Sequence, residues 1–358
     1  MIQLYKPYMP QVLPELDNIL HSGALAYGKW GHKFEEAITN FIGCKEKVLI
    51  VNSFSSAIQL IIYTLGLKAG DEIIASPQSC LASTQPLVSM GLKVVWGDID
   101  PKRGTLDPED IKKHITPKTR LIWHNHHCGY PGYIDEINDI ARQNNLYVVD
   151  DCIEAFGAEY KGKKLGNVGT DITVFSFQTV RLPNTIDGGG VLFRDNALYE
   201  KAIRTRDLGV DRKTFRDSMG EISPSSDVDI YGLGMTCNEI SAYIGYEQIQ
   251  EIEKLLIQQR NNAEWWKKNI ASHTIVSDSI DITDINPNYW VYGVLCNIEK
   301  KKAIQYFRDL GYNASGVHLP NTYYSIFSQQ SPLKGVVEFY KHFIALPSGW
   351  WVNLSQKK

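Results

Sequence analysis

Short apolar runs alternate with helical patterns along the first half of this chain. The apolar runs are rich in Val, Ile and Phe and occupy 47–53, 72–76, 93–99, 120–127, 146–152, 172–177 and 189–193. Between them, apolar residues recur at helical spacing in 56–67, 82–90, 108–114 and 134–144. Strands that alternate with helices indicate a mostly parallel sheet with helices on both faces. We therefore expect an α/β fold built on a seven-stranded sheet.

The pattern changes after the predicted sheet. Longer helices, a strand and a further helix are predicted in turn at 238–271, 289–297 and 301–310, before a tail rich in Pro, Gly and Trp. We interpret this part as a small C-terminal α+β domain, 246–358, that follows a large domain, 1–245. The segment 213–229 is rich in Ser, Asp and Gly, and it is predicted to be a surface loop or lid.

The composition favours a cytoplasmic protein that acts on small molecules. The 358 residues include 37 basic and 40 acidic side chains, a formal charge of −3, without a basic run. This balance predicts neither a nucleic-acid nor a membrane-surface partner, and the chain shows neither a signal peptide nor a membrane-spanning pattern. The six cysteines lack metal-type spacing, so we interpret them as buried thiols in a reducing compartment and expect no structural zinc.

Serine hydroxyls lie where the first predicted strand meets a helix, in the segment Asn52-Ser53-Phe54-Ser55-Ser56-Ala57. The free N–H groups and the dipole at the start of a helix favour a bound phosphate. A plain serine N-cap explains the same segment unless other residues also indicate a cofactor.

Carboxylates end the apolar run at 146–152 and continue just beyond it, as Asp150, Asp151 and Glu154. They lie at the carboxyl edge of the predicted sheet, where open α/β folds bind their ligands. A buried carboxylate there needs a cationic or hydrogen-bonding partner. Asp150 is better suited to capping the next helix, so Asp151 is the stronger candidate for binding a ligand.

Three histidines, His124, His126 and His127, lie at the end of another predicted strand. Their spacing divides them between the two strand faces, so a metal site made of all three is not expected. A histidine in such a place is more often a hydrogen-bonding partner than a catalyst. One that lay near a cofactor could serve as a base.

The strand at 172–177 brings Ser176, and then Arg181, to the same edge of the sheet. The segment 175–181, followed by Asp187-Gly188-Gly189-Gly190, resembles the cofactor-anchoring segment of a pyridoxal phosphate (PLP) enzyme. Further matches run in order along nearly the whole chain, at 22–28, 34–35, 70–72, 98–100, 151–157, 231–245, 290, 316–320 and 346–347. As a set they resemble the DegT/StrS-type nucleotide-sugar aminotransferases. These are fold type I PLP enzymes of bacterial surface-polysaccharide and deoxyamino-sugar biosynthesis.

The resemblance implies roles for individual residues. It implies that Ser55 and Ser176 bind the cofactor phosphate and that Asp151 faces the ring nitrogen. It also implies that Asn238 reaches the phosphate in a neighbouring subunit, because the family builds its sites across a homodimer interface. His318 and Tyr323 are implied to bind the nucleotide-linked sugar substrate.

Four positions depart from the family pattern. Arg181 occupies the place of the lysine that forms the Schiff base, Phe54 that of a glycine in the phosphate loop, Cys80 that of a ring-stacking aromatic residue, and Glu154 that of Gln or His. Cys80 and the nearby Gln178 resemble the branch that acts on GDP-linked 4-keto-6-deoxy sugars. Arginine stays protonated at physiological pH, so it neither condenses with an aldehyde nor carries a proton. Ordinary transamination is therefore disfavoured.

Two hypotheses follow from these departures. In the first, the protein binds PLP or pyridoxamine phosphate (PMP) without a covalent link and performs dehydration or proton transfer on a keto sugar. Its candidate catalytic residues are then Arg181, His126, His127 and Glu154. In the second, the cofactor has been lost, and the protein is a sugar epimerase or isomerase or a non-catalytic subunit, with Arg181 binding a substrate phosphate or carboxylate. A third explanation is an engineered substitution at 181, against which the neighbouring Leu182-Pro183, also unlike the family, argues.

Overall fold

The computed structural model describes residues 1–328 and 331–356. The strands are β1 (Val48–Val51), β2 (Glu72–Ala75), β3 (Lys93–Trp96), β4 (Thr119–Asn125), β5 (Tyr147–Cys152), β6 (Glu159–Tyr160), β7 (Lys163–Lys164), β8 (Ile172–Ser176), β9 (Gly189–Phe193), β10 (Val276–Ser279), β11 (Ile285–Asn286), β12 (Tyr292–Cys296) and β13 (Phe343–Leu346). The α-helices are α1 (Leu16–His21), α2 (Lys29–Ile42), α3 (Phe54–Leu65), α4 (Leu81–Ser89), α5 (Pro108–His114), α6 (Ile134–Gln143), α7 (Asn196–Arg206), α8 (Glu239–Asn269), α9 (Lys300–Asp309) and α10 (Lys334–His342).

The central sheet has seven strands among the described residues, in the order β1-β9-β8-β5-β4-β2-β3. Neighbouring strands are parallel except at β9, which runs antiparallel to both β1 and β8. The predicted α/β fold with a mostly parallel seven-stranded sheet is therefore confirmed. The strand predicted at 120–127 ends earlier, at Asn125, because the chain then turns through Cys128, whose φ is 56°.

Alternating side chains of the strands fill the space on both faces of this sheet. In β1, Leu49 and Val51 pack in one core cluster with α3, whereas Val48 and Ile50 pack in another with α2 and α8. This division follows from the two-residue repeat of a strand. The sequence prediction left out α2, although Trp30, Phe34, Ile38 and Ile42 form its buried side at helical spacing.

The C-terminal part contains a second sheet, ordered β10-β12-β13, which packs with α9 and α10. The predicted domain boundary between 245 and 246 falls inside the continuous helix α8, and the division 1–245 and 246–358 stays a prediction. The start of the chain joins the C-terminal core. Ile2 forms an isolated bridge with Tyr312, and Leu4 is buried in the same cluster as Trp266.

The candidate site residues converge because β1, β8, β5 and β4 all run in the same direction. Their carboxyl ends therefore meet at one edge of the sheet. The predicted loop at 213–229 contains no regular helix or strand and is largely exposed. In the described part of the chain, no helix has the length and apolar character needed to cross a bilayer.

Candidate active site

Asp151 is a buried carboxylate at the carboxyl end of β5. Its Oδ2 accepts hydrogen bonds from Trp123 Nε1 at 2.9 Å and Asn125 Nδ2 at 3.1 Å, and its Oδ1 accepts one from the Ile153 N–H at 3.1 Å. Burial raises the pKa of this carboxyl, and the hydrogen bonds only partly oppose the rise. A cationic N–H group beside it would therefore stabilise the charged form.

Arg181 lies beyond the end of β8 and is only 5% exposed. Its Nη1 is 3.3 Å from Glu154 Oε1, and its guanidinium carbon lies 4.7 Å from the ring centre of Trp290. The ion pair and the stacking contact together hold the guanidinium in place. Its Nε has no hydrogen-bond partner among the residues that the structure describes.

Glu154 joins Arg181 to His318. Oε1 of Glu154 is 2.7 Å from His318 Nε2, and Oε2 accepts the Cys128 N–H at 2.8 Å. Burial raises the pKa of this carboxyl, but His318, Arg181 and His127 outweigh that effect and bring it to about 2. Glu154 is therefore an ionised hydrogen-bond acceptor at neutral pH. Arg181 supplies the positive charge that a buried carboxylate such as Glu154 requires.

The three histidines separate as the strand repeat requires. His124 Nδ1 and His126 Nε2 approach Asp150 Oδ1 at 3.2 and 3.3 Å, while His127 lies on the other side, with its ring centre 5.8 Å from that of His318. Burial lowers the pKa of His124 to about 4 and that of His127 to about 3. Asp150 therefore belongs to a histidine cluster, and it does not cap a helix as the sequence had suggested.

The cluster of His124, His126 and Asp150 brings its nitrogen and oxygen atoms within 4.8 Å of one another, a separation that would permit a metal ion. However, His126 Nδ1 accepts the Gly132 N–H at 3.1 Å. In a neutral imidazole the proton is then on Nε2, the atom that faces Asp150, and no lone pair is left there for a metal. Hydrogen bonds within the protein therefore engage one nitrogen of each ring, His124 Nδ1 with Asp150 and His126 Nδ1 with the Gly132 N–H.

Ser53 and Ser55, at the start of α3, have different roles. Ser53 is the N-cap, and its hydroxyl accepts the Ser56 N–H at 3.0 Å, whereas Ser55 is exposed in the first turn. The ring of Phe54 is fully buried in the core beneath the sheet edge, and its φ is not positive. The bulk of Phe54 is therefore directed into the protein interior, and its predicted place beside the cofactor phosphate stays a prediction.

Asn238 is exposed at the start of α8, where its Oδ1 accepts the Ser241 N–H at 2.8 Å. Within one subunit it is thus a helix cap, and its reach toward a partner stays a prediction. Cys80 is half-buried just before α4. Burial raises the pKa of its thiol. Glu154 and Asp151 raise this pKa further and Arg181 lowers it, so Cys80 lies within electrostatic reach of all three.

His318 and Tyr323 line a cavity of about 1170 Å³ formed by the C-terminal part of the chain. Tyr323 is largely exposed, whereas the side chain of His318 is 15% exposed and separates the cavity from Glu154. The same cavity is lined by Lys300, whose Nζ donates to the Tyr340 carbonyl at 2.8 Å. Burial lowers the pKa of Lys300 to about 8.

Comparison with known proteins identifies the family. The model of the DegT/DnrJ/EryC1/StrS aminotransferase family matches residues 10–351. The chain belongs to this family. GDP-perosamine synthase of Escherichia coli O157:H7 is 29% identical over 84% of this chain and 77% of its own length. A spore coat polysaccharide biosynthesis protein of Bacillus subtilis is 28% identical over 71% of this chain and 67% of its own length.

Solved structures of the family have the same fold. The sugar aminotransferase CalS13 from Micromonospora echinospora superimposes with a TM-score of 0.91 at 27% identity, covering 99% of this chain and 96% of its own. The pseudaminic acid pathway aminotransferase PseC of Helicobacter pylori gives a TM-score of 0.86 at 25% identity, over 98% and 95%. Members of this family use PLP or PMP as cofactor.

Two residues of the site were missed by sequence reasoning. Tyr5 stacks on Trp290 with ring centres 4.7 Å apart, and burial raises the pKa of its hydroxyl, with Glu154 and Arg181 among the neighbouring charges. Lys300 reaches the cavity from the C-terminal part. Neither lies near a recognisable motif, because each is brought to the site only by contacts between distant segments.

Proposed function

We propose that this protein acts on a nucleotide-linked keto sugar, binds PLP or PMP without a covalent link, and performs dehydration or proton transfer instead of amino transfer. The observation that carries the proposal is the combination of Arg181 and Asp151. The buried guanidinium of Arg181 is held by Glu154 and Trp290 at the position implied for the lysine, while Asp151 remains a buried carboxylate that accepts three hydrogen bonds.

The residues present fit the non-covalent part of cofactor binding. Asp151 is a buried carboxylate with a raised pKa, and a protonated ring nitrogen would stabilise its charged form. Ser55 offers an exposed hydroxyl at a helix N-terminus, and Ser176 ends the neighbouring strand β8. When bound, the cofactor supplies an electron sink for cleaving bonds next to its point of attachment.

Arg181 has a different task from a lysine. Its guanidinium remains charged and only donates hydrogen bonds, so it neutralises Glu154 and cannot accept a proton. The proton transfers of the reaction therefore fall to other groups. Losing the acid–base group alone removes about two to four powers of ten in rate, which disfavours ordinary transamination.

We propose a cytoplasmic homodimer with shared sites. Support comes from apolar side chains that a single chain leaves uncovered in 207–238, where Tyr231 is 91% exposed and Leu208, Met219 and Ile222 are more than half exposed. Exposed apolar surface of this kind is typical of protein interfaces. Asn238 lies at the end of the same segment, exposed. The free cysteines are consistent with a reducing compartment.

A GDP-linked 4-keto-6-deoxy sugar is the substrate that we would test first. GDP-perosamine synthases occur repeatedly among the relatives, at 27 to 29% identity. His318 and Tyr323 line the cavity of about 1170 Å³, and this cavity has room for a sugar nucleotide. We propose these two residues as substrate contacts.

The proposal is tested by titrating the purified protein with PLP and with PMP and following cofactor absorbance. We expect saturable binding, and we expect borohydride treatment to leave no covalent adduct detectable by mass spectrometry. Asp151→Asn should weaken binding, since an amide cannot balance a protonated ring nitrogen. Arg181→Lys, the matched variant, should regain a covalent adduct with PLP. If neither cofactor bound at saturating concentration, the cofactor-independent alternative would replace this proposal.

A further inference from the structure

His318 occupies the boundary between the charged pair and the large cavity. One ring nitrogen, Nε2, is 2.7 Å from Glu154 Oε1, while the side chain also lines the cavity of about 1170 Å³. We infer that His318 is the general base that moves the substrate proton, with Glu154 and Arg181 as the residues that position it. The inference rests on the proposed function in one respect, namely that a keto sugar enters this cavity.

The contact with Glu154 fixes which ring nitrogen carries the proton. An ionised carboxylate only accepts hydrogen bonds, so Nε2 of His318 must be the donor. Nδ1 of the neutral ring is then a lone-pair acceptor. It makes no hydrogen bond with any residue in 1–328 or 331–356. In the Ser-His-Asp triad of hydrolases, a carboxylate likewise orients an imidazole whose other nitrogen acts as the base.

The bases predicted from the sequence are less suited to this role. His126 is fully buried, and both of its ring nitrogens face protein groups, the Gly132 N–H and Asp150. His127 is also buried, with Nε2 3.4 Å from Cys128 Sγ. Glu154 is 3% exposed, and its two oxygens are engaged by Arg181, His318 and the Cys128 N–H. Of these histidines, His318 alone lines the cavity.

Arg181 gains a function in this arrangement. Burial favours the neutral form of a carboxylate unless positive groups lie beside it. The guanidinium, at 3.3 Å from the same Oε1 atom, adds a fixed positive charge that favours the ionised form of Glu154 and exchanges no protons with it. The pair therefore places the shared proton on Nε2 of His318 and leaves Nδ1 as the nitrogen that can accept another.

The step that we assign to His318 is proton transfer at carbon. Nδ1 accepts the proton from a C–H group next to the sugar carbonyl. The electron pair of that C–H bond forms a C=C bond, and the carbonyl π electrons move to oxygen. Return of the proton, or of a deuteron from solvent, reverses the step without any oxidant or reductant.

Hydrogen exchange into a keto sugar tests the inference directly. The full-length protein, with and without PMP, is incubated with GDP-4-keto-6-deoxymannose in D₂O, and deuterium uptake beside the carbonyl is followed by NMR. His318→Asn should slow exchange by about 100-fold to 10,000-fold. Added imidazole should restore part of the rate in His318→Ala, because the cavity has room for it. A purely structural residue would show no such rescue.

His114→Asn is the matched control. His114 also pairs with a carboxylate, with Nε2 2.9 Å from Asp110 Oδ2, but at the end of α5 and outside the residues that line the cavity. Its variant should exchange at the wild-type rate. Cofactor titration and thermal melting of each variant report separately on the proposed function and on folding. Wild-type exchange in His318→Asn, an absence of exchange in the wild type, or failure of imidazole to rescue His318→Ala would overturn the inference.

The positioning role of Glu154 has its own readout. In protein labelled with ¹⁵N-histidine, the His318 signals, assigned by their loss in His318→Asn, should show a proton on Nε2 and none on Nδ1. Glu154→Gln should produce a mixture of the two tautomers, since an amide can either donate or accept. An unchanged tautomer in that variant would contradict the positioning role.

Discussion

Asp150 and Glu154, two buried carboxylates close together in the sequence, each contact histidines but in very different surroundings. Asp150 faces His124 and His126, which are both fully buried. Glu154 faces Arg181, which is always charged, and His318, which borders a large cavity. The first cluster is closed to solvent, and we expect it to stabilise the fold, whereas the second borders the cavity through His318, whose Nδ1 we propose as the proton acceptor. Both clusters pair a carboxylate with histidine. They differ in exposure to a cavity and in the presence of an arginine, and we expect these two differences to separate a stabilising cluster from a catalytic one.

Removing the carboxylate of the closed cluster should have the largest effect on stability. In Asp150→Ala, two buried imidazoles lose their shared partner, and we expect the free energy of unfolding to fall by about 3–5 kcal/mol. Urea denaturation measures the change. The exposed pair of Asp17 and His21 provides the control, since Asp17→Ala should cost about 1 kcal/mol or less. Equal losses in the two variants would remove the distinction between a closed and an open cluster.

Glu154→Gln should destabilise the protein less, by about 2–3 kcal/mol, because the amide still accepts a hydrogen bond while the buried Arg181 loses its counter-charge. The double variant Glu154→Gln/Arg181→Gln should recover much of this loss, since neither charge is then left unpaired. A double-mutant cycle by urea denaturation checks this expectation. Additive losses would show that the two side chains do not interact.

Acid should weaken the two clusters in different pH ranges. His124 has a pKa of about 4, below the value near 6.5 of an unfolded chain, so its stabilisation is complete above pH 6.5 and is lost as pH falls toward 4. Glu154, with a pKa of about 2, stabilises fully above about pH 4.5, and its contribution disappears between there and pH 2.

The slope of the unfolding free energy with pH measures this difference. Each such group adds about 1.4 kcal/mol per pH unit within its range. Denaturation between pH 7 and 4.5 should therefore be less steeply pH-dependent in His124→Asn than in the wild type. Glu154→Gln should follow the wild-type slope over that range. If the two variants changed the slope in the opposite pattern, the assignment of these ranges would be wrong.

The smallest effects are expected at Ser53 and Ser55, at the start of α3. One of these serines stabilises the helix, and the other is proposed to bind the cofactor phosphate. Ser53→Ala removes an N-cap and should lower the free energy of unfolding by about 1 kcal/mol. Ser55→Ala should leave stability within about 0.5 kcal/mol and weaken PLP and PMP binding instead. Urea denaturation and cofactor titration of both variants separate the two roles. An identical pattern in the two would argue against a phosphate site at Ser55.

The apolar pattern was sufficient to predict the sheet and the edge at which Asp151 and Ser176 lie, because buried strands in an α/β fold require continuous apolar runs. It did not predict α2, although its buried residues recur at helical spacing. It also did not show that the Phe54 ring packs in the core, since the direction of a side chain in the first turn of α3 depends on how that helix packs on the sheet.

The chain by itself determined which chemical groups are available: an arginine at 181, which cannot condense with an aldehyde, and carboxylates and histidines at strand ends. Only the tertiary structure decided how they pair. His318 meets Glu154, and Tyr5 stacks on Trp290, across long stretches of sequence. Local patterns report burial and secondary structure, which short-range sterics and hydrophobicity control. Contacts between distant segments depend on how complete elements pack, and no local pattern encodes them.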